Sequence, residues 1–180
     1  MSKVCLPVGR VVYCHLNEPS AAVEGAKPFY SITVSFPEGT DLSAIEGAIE
    51  DTASDKFKTV PKNLTSPLKN NGDRQREDGS LPSGFHEGGY HITLKQERLE
   101  DVALRTLDLA DATGSDFYAG CWVQAIGHFH AYKVTNPGVT VYLKGLRFVK
   151  EDSPIGGARV EFDEIPEMSI TTEPSGNTPF

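Results

Sequence analysis

The sequence predicts an all-β fold with one inserted helix. Apolar and polar residues alternate in at least four separate segments, which is the period of a strand buried on one side. Only one segment repeats its apolar residues with the unambiguous period of a helix. Pro, Gly and Asn separate several of the segments, as is typical between antiparallel strands.

The first two strands are predicted over residues 4–16 and 30–36. Pro7-Val8-Gly9 interrupts the first segment, so we expect a kinked strand there. In the second segment the apolar side chains alternate with Ser and Thr, which defines a core face: Tyr30, Ile32, Val34 and Phe36.

The helix is predicted from Asp41, a residue that can cap it, to Lys58. Its apolar residues recur at helical spacing: Leu42, Ile45, Ala48, Ile49, Ala53 and Phe57. Residues 60–89 have no period and are rich in Pro, Gly and Asn, which predicts a long mobile loop. Basic residues flank or populate this loop, which could fold over a strand: Lys56, Lys58, Lys62, Lys69, Arg74 and Arg76. Solvation is the default interpretation of such charges.

Three more strands follow the loop. Residues 90–95 alternate as a third strand, whereas residues 97–111 fit either a helix or a strand and periodicity does not decide. Two strands lie within residues 117–150, joined by a predicted turn at Asn136-Pro137-Gly138.

The first of these two strands, within residues 118–133, has two chemically different faces. One is small and apolar: Cys121, Val123, Ala125, Gly127, Phe129 and Ala131. The other combines rings with hydrogen-bonding groups: Trp122, Gln124, Ile126, His128, His130 and Tyr132. The second face suits flat ligands with polar edges, such as nucleobases.

Five strands with one inserted helix fit a five-stranded Greek-key barrel of the OB type, which binds oligonucleotides across one sheet face. A β-sandwich fits the same pattern, so the pattern alone does not choose between them.

The charge is distributed unevenly along the chain. The net charge is -8 over 180 residues. Residues 151–180 carry seven acidic side chains and one basic side chain, so they hold -6 and residues 1–150 hold only -2. A nearly neutral body with local basic patches can bind a polyanion. We therefore divide the chain into a domain of residues 1–157 and a flexible acidic tail of residues 158–180.

Five segments together have the residue order of a known family. They are Phe29–Ile32, Phe117–Val123, His128–Tyr132, Val141–Leu146 and Pro154–Gly157. The chain thus resembles phage-encoded single-stranded DNA-binding proteins with an OB fold, over most of residues 1–160. The resemblance implies a sequence-tolerant protein that coats and protects single strands during phage DNA replication or recombination. It also favours an extended conformation over residues 102–109.

The candidate nucleic-acid-binding residues are rings, histidines and basic side chains on the predicted strands. They are Lys95, Arg105, Trp122, His128, His130, Tyr132, Tyr142 and Lys144. Structural alternatives exist, because Trp122 could be a core residue and Lys95 and Arg105 could be ordinary solvated charges.

The resemblance also implies that the acidic tail recruits replication or recombination proteins. Its candidate docking residues are Asp163, Glu164 and the terminal Phe180. A solvated terminus with a chance Phe is the alternative. Homo-oligomerisation is also possible on the sequence.

No catalytic or metal-binding constellation can be identified. His128 and His130 form a His-x-His pair, but no third ligand has a recognisable spacing. We therefore predict a protein that is not an enzyme and uses no cofactor or metal. The alternatives are a β-sandwich module for phage assembly and, less favoured, a metal-dependent nuclease.

The three cysteines, Cys5, Cys14 and Cys121, lack paired spacing and lie in apolar strand patterns, which predicts buried free thiols in a reducing compartment. No signal peptide or membrane-spanning stretch is visible. We therefore expect a soluble protein in the cytoplasm of the bacterial host.

Overall fold

A closed ring of strands forms the centre of the structure. The computed structural model of the chain describes residues 3–155. Its strands are β1 (Lys3–Cys5), β2 (Gly9–Ser20), β3 (Phe29–Phe36), β4 (Leu68–Asn70), β5 (Tyr90–Gln96), β6 (Ala103–Arg105), β7 (Trp122–Lys133) and β8 (Pro137–Lys150). The helix α1 spans Ser43–Phe57.

The ring has the strand order β7-β2-β3-β5-β8, and β8 pairs back to β7. Its pairings are antiparallel except the one between β5 and β8, which is parallel. The three short strands extend the ring: β1 pairs with β7, β4 with β5 and β6 with β8. The predicted five-stranded barrel of the OB type is thereby confirmed over the β-sandwich.

The backbone register between β5 and β8, where the ring closes, is short. Lys95 and Tyr142 are the one residue pair in register between these strands. The buried side chain of Gln96 adds a hydrogen bond, in which Nε2 donates to the backbone oxygen of Leu143 at 3.2 Å. Two of the predicted binding residues therefore lie where the barrel closes.

The core fills the inside of the ring, as strand alternation predicts. All six residues of the apolar β7 face are buried, and so are Ile32, Val34 and Phe36 of β3. The helix packs against β1, β7 and β8 and contributes Ile45, Ile49 and Ala53 to the same core. Burying these side chains in one cluster supplies the main driving force for closing the barrel.

The structure refines the ends of several predicted elements. The first predicted strand is broken into β1 and β2 at residues 6–8, where the kink was expected. The helix begins at Ser43 with Leu42 at its cap position, although the carboxylate of Asp41 does accept a hydrogen bond from the Ser43 N–H at 3.0 Å.

Two connections differ from their predictions. The bend between β7 and β8 lies at residues 134–136, and Pro137 already belongs to β8, so the turn predicted at residues 136–138 was placed too late. Residues 97–111 contain a 3₁₀ turn and the short strand β6, so the extended conformation expected for residues 102–109 holds only in part. Leu109 adopts a positive φ of 68°, which ends the extended path.

The prediction of a long mobile loop over residues 60–89 misses two regular elements and a buried anchor. This segment, which we name the strap, contains β4 and a 3₁₀ turn over Asn71–Arg74, and it pairs with β5 through β4. Its own residues Asn71 and Phe85 are buried. Composition failed here because the buried Asn71 finds its hydrogen-bond partners on distant parts of the chain.

Candidate nucleic-acid interface

The candidate site lies on the outer face of the barrel, the side of each ring strand that points away from the core. Strand alternation places the predicted residues of β7 there. Trp122, His128, His130 and Tyr132 are each partly exposed, and Val123, Ala125, Gly127, Phe129 and Ala131 between them are buried. Strand register then brings Tyr142 beside His128 on one side and beside Lys95 on the other. The predicted two-faced strand is confirmed.

Four outward side chains from four strands form one contact cluster. Lys95 Nζ lies 4.7 Å from the centre of the Phe29 ring and 5.9 Å from that of Tyr142. The His130 and Tyr142 ring centres are 6.1 Å apart. We name Phe29, Lys95, His130 and Tyr142 the Tyr142 cluster. It offers ring faces for stacking and an ammonium group for a phosphate.

Several basic groups lie near the Tyr142 cluster. Partial burial lowers the pKa of His128, and the charge of Lys144 lowers it further, with His130 and Lys3 acting in the same direction. Within residues 3–155, no carboxylate forms an ion pair with Lys95 or Lys144. Lys27, in contrast, is paired with Glu97 at 2.8 Å. The unpaired ammonium groups are therefore available to an anionic ligand.

Trp122 belongs to a second group at the other end of β7. Its indole N–H donates to Asp152 Oδ2 at 2.8 Å, and Lys150 Nζ lies 4.8 Å from its ring centre. The His86 ring lies 5.8 Å away, and Arg10 reaches the same Asp152 carboxylate at 3.6 Å. Eight residues separate Trp122 from His130, which is about 26 Å along a strand. The two groups share a face but are not in contact.

The remaining predicted residues are placed as follows. Tyr132 covers Gly138 at the β7–β8 bend, so closely that a Cβ at Gly138 would lie 2.5 Å from the tyrosine ring. Lys144 lies in a bulge of β8, opposite Ile126 and Gly127.

Arg105 lies apart on β6, where it pairs with Asp111 at 3.0 Å and donates to the Leu104 oxygen. The structure therefore does not bring Arg105 into the Tyr142 cluster.

Phe29 is the member of the Tyr142 cluster that the sequence did not predict as a binding residue. It lies one residue before the predicted β3 core face. Its side chain is on the same outer face of the strand as Ser31, which pairs with Lys95. An aromatic residue on the polar side of an alternating strand was the available signal. The alternation predicts this strand only from Tyr30, so Phe29 is not among the predicted binding residues.

A groove of about 910 Å³ lies elsewhere, along the edge of β2. Apolar side chains that include Phe117 and Phe148 line it, together with the acidic Asp116 and Glu151. Carboxylates repel phosphates, so this groove matches a polyanion less well than the Tyr142 cluster does.

The described residues also bear on metal ligands, membrane helices and the tail. Among residues 3–155, no three His, Cys, Asp or Glu side chains are grouped as a metal site would require. The same residues include no helix that is long and apolar enough to cross a membrane. Asp163, Glu164 and Phe180 lie outside the described residues, as does the predicted tail of residues 158–180.

The cysteines are only partly as predicted. Cys121 is buried and Cys14 is partly buried, but Cys5 is exposed, so the prediction of three buried thiols is wrong at that position. Cys5 lies on the short strand β1, where its outward parity matches that of Lys3.

Comparisons with known proteins identify the family of the chain. Residues 2–173 match the family described as Enterobacter phage Enc34, ssDNA-binding protein. Putative protein p50 of Acyrthosiphon pisum secondary endosymbiont phage 1 is 26% identical over 179 residues, covering 95% of this chain and 96% of that protein.

Two solved structures show the same fold. The single-stranded DNA-binding protein of bacteriophage Enc34, in complex with ssDNA, has a TM-score of 0.70 at 22% identity, covering 86% of this chain and 89% of that one. Gp2.5, a single-stranded DNA-binding protein encoded by bacteriophage T7, has a TM-score of 0.55 at 11% identity, covering 89% and 98%. The family match extends over nearly the whole chain, and the chain therefore belongs to the family of the Enterobacter phage Enc34 ssDNA-binding protein.

Proposed function

We propose that this protein binds single-stranded DNA with little sequence preference, and coats and protects it during phage DNA replication or recombination in the host cytoplasm. The observation that carries the proposal is Lys95, whose ammonium group lies between the rings of Phe29 and Tyr142 on the outer face of an OB barrel. Family membership supports the same conclusion.

The Tyr142 cluster explains how such binding works. Unstacked bases of a single strand present flat faces, and any of the four bases stacks on an aromatic ring. Phosphates that meet Lys95 and Lys144 release condensed counterions, which supplies affinity without reading sequence. A duplex keeps its bases stacked on each other, so it cannot use Phe29 or Tyr142 in this way. The cluster therefore favours single strands over duplexes.

The tail is proposed as a docking element for other replication or recombination proteins. Residues 158–180 carry five acidic side chains and one basic side chain, half of the net charge of -8, and include an apolar Pro179-Phe180 tip. A pull-down with the full chain and with a variant lacking Phe180 would test this role. Equal recovery of host or phage replication proteins by both forms would refute it.

The central experiment compares variants in a gel-shift titration with single-stranded and double-stranded oligonucleotides, with and without a chelator. Tyr142→Ala should weaken single-strand binding by about 1 to 3 kcal/mol, because one base loses its stacking surface. Tyr90→Ala is a matched control, since Tyr90 is an exposed tyrosine on the core side of β5. It should bind like the unmodified protein.

Three results would contradict the proposal. The absence of any oligonucleotide binding favours the assembly module, and chelator-sensitive cleavage favours the nuclease. Equal losses for Tyr142→Ala and Tyr90→Ala would place the interface elsewhere on the barrel.

A further inference from the structure

We propose that the strap carries a second contact for the same DNA strand, formed by Arg74 over the rings of Tyr13 and Phe85. The proposal rests on the proposed function, because it extends the path of the strand beyond the Tyr142 cluster. We name these three residues the Arg74 station.

The geometry of the Arg74 station is that of a cation over two rings. The guanidinium carbon of Arg74 lies 6.0 Å from the centre of Tyr13 and 5.7 Å from that of Phe85. The two rings are 5.8 Å apart and tilted by 59°. Phe85 is buried, whereas Tyr13 is 41% exposed and Arg74 is exposed. A planar cation is thus presented to solvent on an aromatic base.

The Arg74 station is held in place by a buried polar network. Arg74 ends the 3₁₀ turn that begins at the fully buried Asn71. The Asn71 amide donates to Ser35 Oγ at 3.1 Å and to the His86 backbone oxygen at 2.8 Å. Its Oδ1 atom lies 2.8 Å from His91 Nδ1. Hydrogen bonds from Asn71 to both β3 and β5 fix the turn, and the turn fixes where Arg74 leaves the strap.

The Arg74 station is close to the Tyr142 cluster on the outer face. Strand register aligns Tyr13 with Thr33 and Thr33 with Thr93, which is two residues along β5 from Lys95. Tyr13 and Lys95 are therefore about 10 Å apart across the strands and about 7 Å apart along them. A single strand that stacks on Tyr142 can continue over Ser31 and Thr33 to Tyr13.

Charge also favours a phosphate at this position. Within residues 3–155, Arg74 forms no ion pair. Lys69 lies on β4 opposite His91 and adds a second positive charge nearby. The pKa of His91 is lowered by burial first and then by the charges of Arg74 and Lys69, which together outweigh the opposing charge of Asp73. An exposed guanidinium can bond a phosphate with its N–H groups while a base stacks on its plane.

The test uses the full chain and three variants: Arg74→Ala, Arg74→Lys and the control Arg98→Ala. Arg98 is also exposed, but it lies beside Glu100 and Asp101, away from the proposed path. Affinity for an oligonucleotide of about 20 nucleotides is measured at several salt concentrations, and thermal unfolding verifies the fold of each variant.

We expect Arg74→Ala to weaken binding about tenfold at low salt. The slope of log affinity against log salt should fall by about 0.7, because one phosphate contact is lost. Arg74→Lys should keep the slope and recover only part of the affinity, since an ammonium lacks the planar stacking surface. Arg98→Ala should match the unmodified protein in both affinity and slope.

Equal affinity and slope for Arg74→Ala and Arg98→Ala would overturn the Arg74 station. If Tyr142→Ala still weakens binding in that case, the proposed function stands and only the extended path is rejected. If the unmodified protein binds no single strands, the proposed function and the Arg74 station fall together.

Discussion

Trp122 donates its indole N–H to the carboxylate of Asp152 at 2.8 Å. The same carboxylate lies 3.6 Å from Arg10, so one acidic side chain joins an aromatic and a basic residue of the outer face. Trp122 is therefore a half-buried ring held in one orientation. It is neither the freely exposed platform nor the barrel-core residue that the sequence left as alternatives.

Replacing Trp122 should consequently affect both stability and binding. Trp122→Ala removes a packed ring and one of the hydrogen-bond donors to Asp152, so we expect the free energy of unfolding to fall by about 1 to 2 kcal/mol. Single-strand affinity should fall by about 1 to 3 kcal/mol if bases stack there. Trp122→Phe keeps a ring and removes only the hydrogen bond. It should retain most of the binding, as measured by titration alongside thermal unfolding.

Fluorescence gives an independent measurement of the same residue. Trp122 is the single tryptophan of the chain, so its emission reports this position alone. Titration with single-stranded DNA should quench it. Unchanged emission, combined with full affinity of Trp122→Ala, would remove the Trp122 end of β7 from the interface.

Salt should weaken binding strongly. Lys95 and Lys144 have no ion-pair partner among residues 3–155, so phosphates can occupy them directly. Raising salt from about 50 to 200 mM should lower affinity by about tenfold or more. Lys95→Ala should flatten this dependence, whereas Lys56→Ala on the exposed face of α1 should leave it unchanged. An affinity that does not respond to salt would contradict phosphate contacts as the source of binding.

Stability should fall as the pH drops through the range in which His91 titrates. The pKa of His91 is lowered from 6.5 to about 4, chiefly by burial and also by the charges of Arg74 and Lys69. Above about pH 6.5 the imidazole is neutral in both the folded and unfolded chain. Between pH 6.5 and 4 the unfolded chain binds a proton that the folded chain does not, which costs on the order of 3 kcal/mol of unfolding free energy.

Denaturant unfolding at several pH values measures this effect. His91→Gln should lose less stability than the unmodified protein between pH 6.5 and 4, while the exposed His15→Gln should behave like the unmodified protein. Identical pH profiles for all three proteins would show that His91 does not titrate differently on folding. The neutral ring also fits its contacts, since Nδ1–H donates to Asn71 and the buried Nε2 has no partner among residues 3–155.

Only one of the three cysteines should react rapidly in the folded protein. Burial raises the pKa of Cys14 to about 12 and also raises that of Cys121, so little thiolate is present at either. Cys5 is exposed. A thiol reagent near neutral pH should therefore modify one site in the folded chain and three in denaturant, and Cys5→Ser should lose the rapid reaction. Rapid modification of Cys14 would mean that β2 opens readily.

Strand alternation was sufficient to identify the barrel strands and the chemistry of β7. The period of two assigned Val123, Ala125 and Phe129 to the core, and the structure buries all three. It likewise assigned His128 and His130 to the opposite face. These predictions succeed because side-chain direction in a strand follows from local geometry alone.

Strand alternation does not predict contacts between residues that are far apart in the sequence. Arg105 had the right residue type, but its pairing with Asp111 depends on a turn that periodicity does not reveal. The sequence predicts the strap as a long mobile loop, because the hydrogen bonds that anchor Asn71 reach Ser35 and His91, which are 36 and 20 residues away. Composition describes which groups a segment contains, whereas the fold decides whether those groups find partners.

The narrow closure between β5 and β8 gives Lys95 and Tyr142 a double role. They form the one backbone register pair at this seam, and they are also the side chains proposed to hold a phosphate and a base. A bound strand would therefore bridge the joint of the ring that has the fewest register pairs. Amide hydrogens near residues 94–96 and 142–144 should exchange readily in the free protein and slow down when DNA is bound. DNA binding at this site should therefore stabilise the closed barrel.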